Sequence, residues 1–216
     1  MKTILEKIWR TLKPFQPPMP ESSYVVRGRT TEEIMIAGGF HEAGHVVAAC
    51  LLGLNVHYAI LERRSSASEV LHHGYTELTY GRVDDYGSME QAMAALNAPD
   101  MLRKRTIQVL AGQIAESMVS DHEADIRSGA AEDDRSAYGY AALATGLTEP
   151  ADDRAIQALT EYLNTAWRDA AALLADAAPA LHAVGGYLIE HVNERIDGAT
   201  LHRIVASHRP AGAATE

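Results

Sequence analysis

The sequence predicts a mainly α-helical protein of the α+β type, with a small β-hairpin or sheet added to the helices. Apolar residues make up 47% of the chain and lean heavily on Ala and Leu, which favour helix over strand, whereas aromatic residues contribute only 6%. Several stretches also repeat apolar residues at helical spacing. The 216 residues fit one large domain or two small ones, and a chain of this length can bury a core without disulfide staples.

The bulk composition argues against several classes of protein. The formal net charge is -10, with 19 Lys and Arg against 29 Asp and Glu, so the chain lacks the basic face that binding to nucleic acid needs. The single cysteine, Cys50, excludes an internal disulfide and gives no indication of an oxidising compartment. No apolar run reaches the length of about eighteen residues that predicts a transmembrane helix, and the N-terminus lacks a signal-peptide core. We therefore expect a cytoplasmic protein.

The two ends of the chain are expected to lie outside the folded domain, which we predict over residues 21–209. Residues 1–13 have the pattern of a basic amphipathic helix, which predicts docking onto protein or, as the weaker alternative, onto an anionic membrane surface. Residues 14–20 hold half of the chain's eight prolines and predict a stiff, extended linker. Residues 210–216 are predicted to form a disordered tail.

A long apolar helix is predicted at the start of the domain. Thr30 or Thr31, followed by two glutamates, has the pattern of a helix N-terminus. Apolar residues then dominate residues 34–52, and Gly53 is a natural C-terminal stop. This helix carries the candidate site.

The rest of the domain is predicted to contain a β-hairpin and further helices. Val56–Leu61 and Tyr75–Tyr80 have strand-like composition, and the polar, Ser-rich residues between them predict a hairpin with a long mobile tip. A second helix is expected over residues 100–120 and a third after Ser128, followed by two or three more over residues 152–206. The second helix should bury Leu102, Val109, Leu110, Ile114 and Met118.

The segment His41-Glu42-Ala43-Gly44-His45 predicts a metal site on the first helix. Histidines four residues apart project from one helix face and can share a metal ion. Glu42, the predicted catalytic residue, can take a proton from water held by zinc and pass it to a leaving amine. The simple alternative is two surface histidines near a glutamate. The apolar run of residues 46–52 argues against this alternative, because unpaired buried imidazoles are unfavourable.

The third ligand of the predicted site has to come from elsewhere in the chain. A zinc hydrolase needs three protein ligands and one open position, and the motif supplies two. Spacing alone does not choose among the candidates, which are His57, His72, His73, His122, Glu116, Asp121, Asp125, Asp133 and Asp134.

Residues 41–45, 110–116 and 128–133 resemble, in this order, the three signatures of the FtsH-type zinc metallopeptidase domain. The resemblance implies zinc as the cofactor and Asp133 as the third ligand, with Glu116 holding a ligand histidine or the following helix. A plain surface glutamate is the alternative for Glu116. Asp133 also shares one helix face with apolar neighbours, which directs it inward: Ala137, Tyr140, Ala141 and Ala144. The resemblance covers most of residues 30–206.

The chain also departs from that family. Family members carry a membrane anchor and an AAA ATPase module ahead of the peptidase. We expect this domain to stand alone, because no lysine follows a glycine as a Walker A loop requires. Arg63 and Arg64 follow Glu62 where the family usually has a Pro-Arg-Gly turn, and Gln113 replaces a typical arginine. The resemblance therefore does not fix the substrate contacts.

Two functions of different classes follow. The first is an ATP-independent zinc metalloendopeptidase that hydrolyses flexible or unfolded polypeptides, with Val56–Leu61 as a strand edge for the substrate. The second is a catalytically inactive, zinc-stabilised interaction or adaptor module derived from such a peptidase. Glu42 favours the enzyme, because a purely structural zinc site needs no base beside its ligand. The family's hexameric rings imply a homo-oligomer as a further expectation.

Overall fold

Helices dominate the computed structural model, which describes residues 30–65, 70–79, 86, 88–119, 130–147 and 152–208. The predicted mainly α-helical fold with a small sheet is confirmed. The predicted N-terminal helix, linker and C-terminal tail lie outside the described residues. In chain order the elements are α1 (Thr31–Leu51), β1 (Asn55–Ser65), β2 (Val70–Thr79), α2 (Met89–Leu96), α3 (Pro99–Val119), α4 (Ala130–Thr145), α5 (Asp153–Asp176), α6 (Ala178–Glu190), β3 (Ile196–Asp197) and α7 (Gly198–Ser207).

Helix α1 begins and ends where its sequence predicts. The Thr30 side chain accepts a hydrogen bond from the Glu33 backbone N–H (3.2 Å), and Glu33 Oε2 accepts one from the Thr30 N–H (2.6 Å), which completes a capping box. Gly53 follows the last turn with φ of +72°, a left-handed conformation that glycine adopts without strain. Between these ends, residues 39–50 are buried without interruption. Helix α1 is therefore the central helix of the fold.

Helix α1 is also long and apolar enough to cross a membrane, judged by length and composition alone. The pair α5 and α6, bent by 83° at its break, passes the same test as a unit. A helix that is apolar on all sides is expected either in a protein core or in a membrane. In this structure α1 is enclosed by α3, α6 and the sheet, and most of its apolar span is buried by them.

The sheet has the strand order β2-β1-β3 and is antiparallel throughout. The predicted hairpin is confirmed, but its strands extend through Ser65 and Val70, so only residues 66–69 separate them. The predicted strand edge at Val56–Leu61 is wrong, because β3 pairs with Tyr58 and Ala59 on the second side of β1. Within the described residues, the side of β2 away from β1 has no paired strand.

The second side of β1 is covered beyond β3 as well. The Asn193 backbone N–H donates to the Leu61 carbonyl (2.8 Å), and the Asn193 side-chain oxygen accepts from the Arg63 N–H (2.8 Å). Asn193 has φ of +69°, a left-handed conformation that asparagine tolerates better than most residues. The segment before β3 thus occupies backbone groups of β1 that a peptide strand would need.

Helices α1 and α3 cross with their backbones nearly in contact. A Cβ atom added at Gly44 would overlap the Ala111 carbonyl oxygen and would lie 2.7 Å from the Ala115 Cβ. Four of the five predicted core residues of α3 are buried, namely Leu102, Val109, Leu110 and Ile114. The prediction for Met118 is wrong, because burial along α3 ends at Glu116 and the Met118 side chain is 45% exposed.

The remaining helices include one that the sequence pattern did not predict. Helix α2 is short and begins at Ser88, whose hydroxyl accepts a hydrogen bond from the Gln91 N–H (3.2 Å). Helix α4 follows Ser128 as predicted, and α5, α6 and α7 occupy the region where two or three helices were expected. Helix α4 packs on α3, which brings its first turn towards the motif on α1.

Candidate metal centre

Three side chains from two helices converge in the candidate site. His41 and His45 lie one turn apart on α1, with their Nε2 atoms 3.1 Å from each other. Asp133, in the first turn of α4, places its Oδ2 atom 2.9 Å from His41 Nε2 and 3.3 Å from His45 Nε2. The two histidines are buried and Asp133 is partly buried. These three residues form a group that can hold a metal ion.

Gly112 on α3 leaves the space in which both imidazoles lie. A Cβ atom at this position would come within 2.5 Å of His45 Cε1 and Nε2 and within 2.9 Å of His41 Nε2. Real Cβ atoms do not approach ring atoms this closely. A glycine in the interior of a helix destabilises it by about 1 kcal/mol relative to alanine. The structure explains why glycine occupies this position, because any side chain would displace the two imidazole rings.

The orientation of His45 is fixed by the backbone of α3. Its Nδ1 atom lies 2.9 Å from the Gln108 carbonyl oxygen, and both groups are buried. Because a carbonyl oxygen only accepts hydrogen bonds, Nδ1 must carry the proton and donate it. In the neutral ring the lone pair is then on Nε2, directed at His41 and Asp133, as a metal ligand requires.

Glu116 lies beside His41 on the side opposite Asp133. Its Oε2 atom is 3.4 Å from His41 Nδ1, within ion-pair distance, although the geometry does not meet that of a hydrogen bond. Glu116 is only 6% exposed, so it is not the surface residue of the alternative interpretation. A carboxylate next to the outer nitrogen of a ligand histidine orients the ring and raises its basicity. Glu116 occupies the place that this supporting role needs.

The charges of the site favour a cation at the three ligand atoms. Burial lowers the pKa of His41, but interactions with Asp133, Glu116 and Glu42 outweigh it and raise the pKa to about 10. Burial also lowers the pKa of His45, but the interaction with the Asp133 carboxylate outweighs burial and raises the pKa. Burial raises the pKa of Asp133, but the two imidazoles outweigh burial and hold the pKa well below its usual range. A proton or a metal ion can satisfy this arrangement.

Strand β2 positions Glu42 from the other side of α1. The Thr76 hydroxyl donates a hydrogen bond of 2.6 Å to Glu42 Oε2. A Cβ atom at Gly74 would overlap the carboxyl group of Glu42, so glycine provides the room for it. Glu42 is buried, and its negative charge contributes to the raised pKa values of His41 and His45. The acidic residue of the motif thus lies near the ligand atoms in a fixed orientation.

The other candidate ligands lie elsewhere or outside the described part of the chain. His57 is exposed and contacts Glu77, with 3.1 Å between Nδ1 and Oε1. Asp134 faces α3, where its Oδ1 accepts a hydrogen bond of 2.6 Å from Gln113 Nε2. Burial raises the pKa of Asp134 to about 6, and the neighbouring Asp133 charge adds to the effect. The side chains of the five remaining candidates in this group lie outside the description that the structure gives: His72, His73, Asp121, His122 and Asp125.

Several functional positions escaped the sequence interpretation. Gly112 lies inside the second motif, and its place in the middle of a predicted helix was a usable signal, because glycine is disfavoured there. Gly74 in β2 carried a similar signal of close backbone approach. Thr76 and the Gln108 carbonyl carried none, because their roles depend on contacts between distant segments.

Comparison with known proteins adds no family assignment. No model of a known protein family matches the chain, and no curated protein is significantly similar to it. The resemblance of the three motifs to the FtsH-type domain therefore stays a prediction. The functional conclusion has to rest on the geometry of His41, Glu42, His45 and Asp133.

Proposed function

We propose that this protein is an ATP-independent zinc metallopeptidase that hydrolyses peptide bonds in flexible or unfolded polypeptides. The observation that carries the proposal is the convergence of three metal-ligand atoms next to the fixed carboxylate of Glu42. A purely structural metal site needs the metal ligands but does not need a carboxylate such as that of Glu42 beside them.

The ligand set suits zinc in a catalytic site. Two imidazoles and one carboxylate are borderline-to-hard donors that zinc accepts, and three protein ligands leave a fourth position for water. In a tetrahedron with zinc bonds of about 2.0–2.1 Å, neighbouring ligand atoms are about 3.3–3.4 Å apart. The three distances between the ligand atoms here are 3.1, 2.9 and 3.3 Å. The side chains therefore need only small shifts to fit the ion.

Glu42 is the residue that would move protons during hydrolysis. When bound, zinc lowers the pKa of water to about 7 and polarises a substrate carbonyl. The Glu42 carboxylate accepts the proton that the attacking water loses and then delivers it to the leaving amine. Thr76 holds Oε2 of this carboxylate through its hydroxyl, and Oε1 lies against Gly74. This support limits the rotation of the carboxylate between the two proton transfers.

The sheet supplies the surface on which an extended substrate is expected to bind. A peptide can add to a sheet as a further strand where backbone groups are unpaired. Strand β1 lies in the middle of the sheet, so β2 replaces it as the proposed docking strand. Because Gly74 and Thr76 of β2 contact Glu42, a peptide paired with β2 is held close to the proposed base. Only flexible or unfolded polypeptide can adopt this extended form.

The test compares zinc content and cleavage of an unfolded, casein-like substrate for the wild type and Glu42→Gln. We expect about one zinc ion in both proteins and cleavage by the wild type only, with a loss of at least about 100-fold in the variant. Glu32→Gln, an exposed change on the same helix, should leave both properties unchanged. Zinc binding without cleavage in either protein would favour the interaction module, and absence of bound metal would contradict the site itself.

A further inference from the structure

Asp134 is a partly buried carboxylate next to Asp133 that the proposed mechanism does not use. Its Oδ1 atom accepts a hydrogen bond of 2.6 Å from Nε2 of Gln113. Gln113 is only 3% exposed, although its side chain is polar. A buried amide is unfavourable without a hydrogen-bond partner, and the Asp134 carboxylate supplies this partner. The pair therefore needs an explanation of its own.

The hydrogen bond joins the two helices that enclose the ligand atoms. Gln113 directly follows Gly112, the residue against which both imidazoles lie. Asp134 directly follows Asp133, the third member of the metal-binding group. Farther from the site, the same two helices are joined by Arg105, which donates a hydrogen bond of 2.6 Å to the Tyr140 hydroxyl. The pair at Gln113 is thus the contact at the ligand end of this helix interface.

We infer that Gln113 and Asp134 are positioning residues that fix the first turn of α4, so that Asp133 faces the two histidines. This inference rests on the proposed metal site and specifies how the third ligand is held. The hydrogen bond fixes the rotation of α4 about its own axis at the residue next to the ligand. Without it, Asp133 can turn away from His41 and His45 while α3 and α4 stay packed.

The chemistry of the pair suits a place beside a metal ion. Gln113 donates a hydrogen bond without carrying a formal charge, so it satisfies Asp134 without repelling a bound cation. In this arrangement Asp134 accepts the hydrogen bond that positions α4, and Asp133 stays available to bind the metal ion.

The experiment measures zinc affinity by competition with a chelator and records the absorption bands of the Co²⁺-loaded proteins, which report ligand geometry. Asp134→Ala and Gln113→Met each remove one partner, and Asp134→Asn keeps an oxygen that can accept the bond. We expect Asp134→Ala and Gln113→Met to weaken zinc binding by about 10- to 100-fold and to shift the Co²⁺ bands. Asp134→Asn should retain the affinity and spectrum of the wild type.

A double variant separates positioning from folding. Gln113→Met combined with Asp134→Leu replaces both polar partners by apolar side chains, which keeps the interface packed and leaves no buried group unpaired. We expect this variant to have the melting temperature of the metal-free wild type and the weak zinc affinity of the single variants. Wild-type affinity and an unchanged Co²⁺ spectrum in this double variant would overturn the inference.

Three further outcomes separate this inference from the proposed function. If Asp134→Asn is as defective as Asp134→Ala, the charge of Asp134, and not its hydrogen bond, supports the site, and the inference is wrong. A wild type that binds zinc but cleaves no substrate contradicts the proposed peptidase alone, because the positioning effect is read from metal affinity. A wild type that binds no zinc contradicts both.

Discussion

The two halves of the candidate site are built on the same helix but differ in what surrounds them. The metal half consists of His41, His45 and Asp133, enclosed by α1, α3 and α4. The base half consists of Glu42 with Gly74 and Thr76 of β2. In each half, a neighbouring glycine leaves room for a functional side chain, but the two glycines face different groups. Gly112 faces two packed imidazole rings, whereas Gly74 faces Cγ and the carboxyl group of a single side chain, that of Glu42.

This difference predicts that the halves fail in different ways. Ring atoms that are buried against a helix backbone cannot move without disturbing the α1–α3 crossing, where Gly44 already lies against the Ala111 carbonyl. The carboxylate of Glu42 is held by a single side-chain hydrogen bond from Thr76 and does not lie between α1 and α3, so we expect its displacement to disturb the fold less. Damage to the metal half should therefore reduce stability, metal binding and activity together. Damage to the base half should remove activity alone.

The largest effect is expected from Gly112→Ala. The added Cβ would approach the His45 ring to 2.5 Å, so the imidazoles have to move. We expect zinc affinity to fall by about 100-fold or more and the free energy of unfolding to fall by about 1–3 kcal/mol, as for other overpacked cores. Isothermal titration with zinc and thermal unfolding measure these quantities.

Gly139→Ala is the matched control for that change. Gly139 lies within α4, and a Cβ added there has no neighbouring atom within 4 Å. Because alanine favours helix over glycine, the control should gain up to about 1 kcal/mol of stability and keep its zinc affinity. If both alanine variants bind zinc as the wild type does, Gly112 does not provide the space for the ligand rings.

A smaller effect, restricted to turnover, is expected from Gly74→Ala. The new methyl group overlaps the Glu42 carboxylate and displaces it from the Thr76 hydroxyl. A displacement of about 1 Å in a catalytic group can reduce the rate about 100-fold. Zinc content and melting temperature should stay at wild-type values. Loss of zinc together with turnover would show that the two halves are not separable.

The smallest expected effect is the pH dependence of zinc binding. In the metal-free protein the pKa of His41 is raised from 6.5 to about 10, so the ring is protonated near neutral pH, whereas a zinc ligand must be neutral. Zinc therefore displaces at least this proton, and its affinity should rise at least about tenfold for each pH unit between about pH 6.5 and about pH 8. Because the pKa of His45 is raised as well, titrations in buffers of different ionisation enthalpy should find at least about one proton released per zinc ion.

The same proton makes an opposite prediction for the stability of the metal-free protein. Because the folded-state pKa of His41 lies above the unfolded value, the contribution of this proton to stability is complete below pH 6.5. The contribution is lost as the pH rises through about 10. Chemical unfolding of the metal-free protein over this range measures the loss. A free energy of unfolding that does not fall over this range would contradict the raised pKa of His41. A zinc affinity that does not change with pH would contradict the protonation predicted in the metal-free site.

Local signals in the sequence predicted the elements that carry the site. The cap at Thr30, the glutamates after it, the apolar run and Gly53 together define α1 to within a residue of its ends. Helices α3 and α4 followed from similar apolar spacing and start signals. These signals lie within one helix, where neighbours in sequence are neighbours in space. The two histidines could be placed on one face for the same reason.

Contacts between distant segments could not be predicted in this way. Strand β3 has only two residues, and it changes β1 from the expected edge strand to the central strand. The Thr76–Glu42 and Gln113–Asp134 hydrogen bonds join separate elements and leave no periodic pattern in the sequence. Met118 fits the apolar spacing of α3, yet it lies beyond the point where the other helices cover α3. Such features depend on how the elements pack and not on local propensity.

The most direct test of the metal half is the metal content of the purified wild type, Asp133→Ala and Glu132→Ala. Glu132 is the exposed neighbour of Asp133 in the first turn of α4, so its removal changes local charge but no proposed ligand. We predict about one zinc ion per chain in the wild type and in Glu132→Ala, and far less than one in Asp133→Ala. A wild type without zinc, or an Asp133→Ala variant that keeps it, would contradict this account.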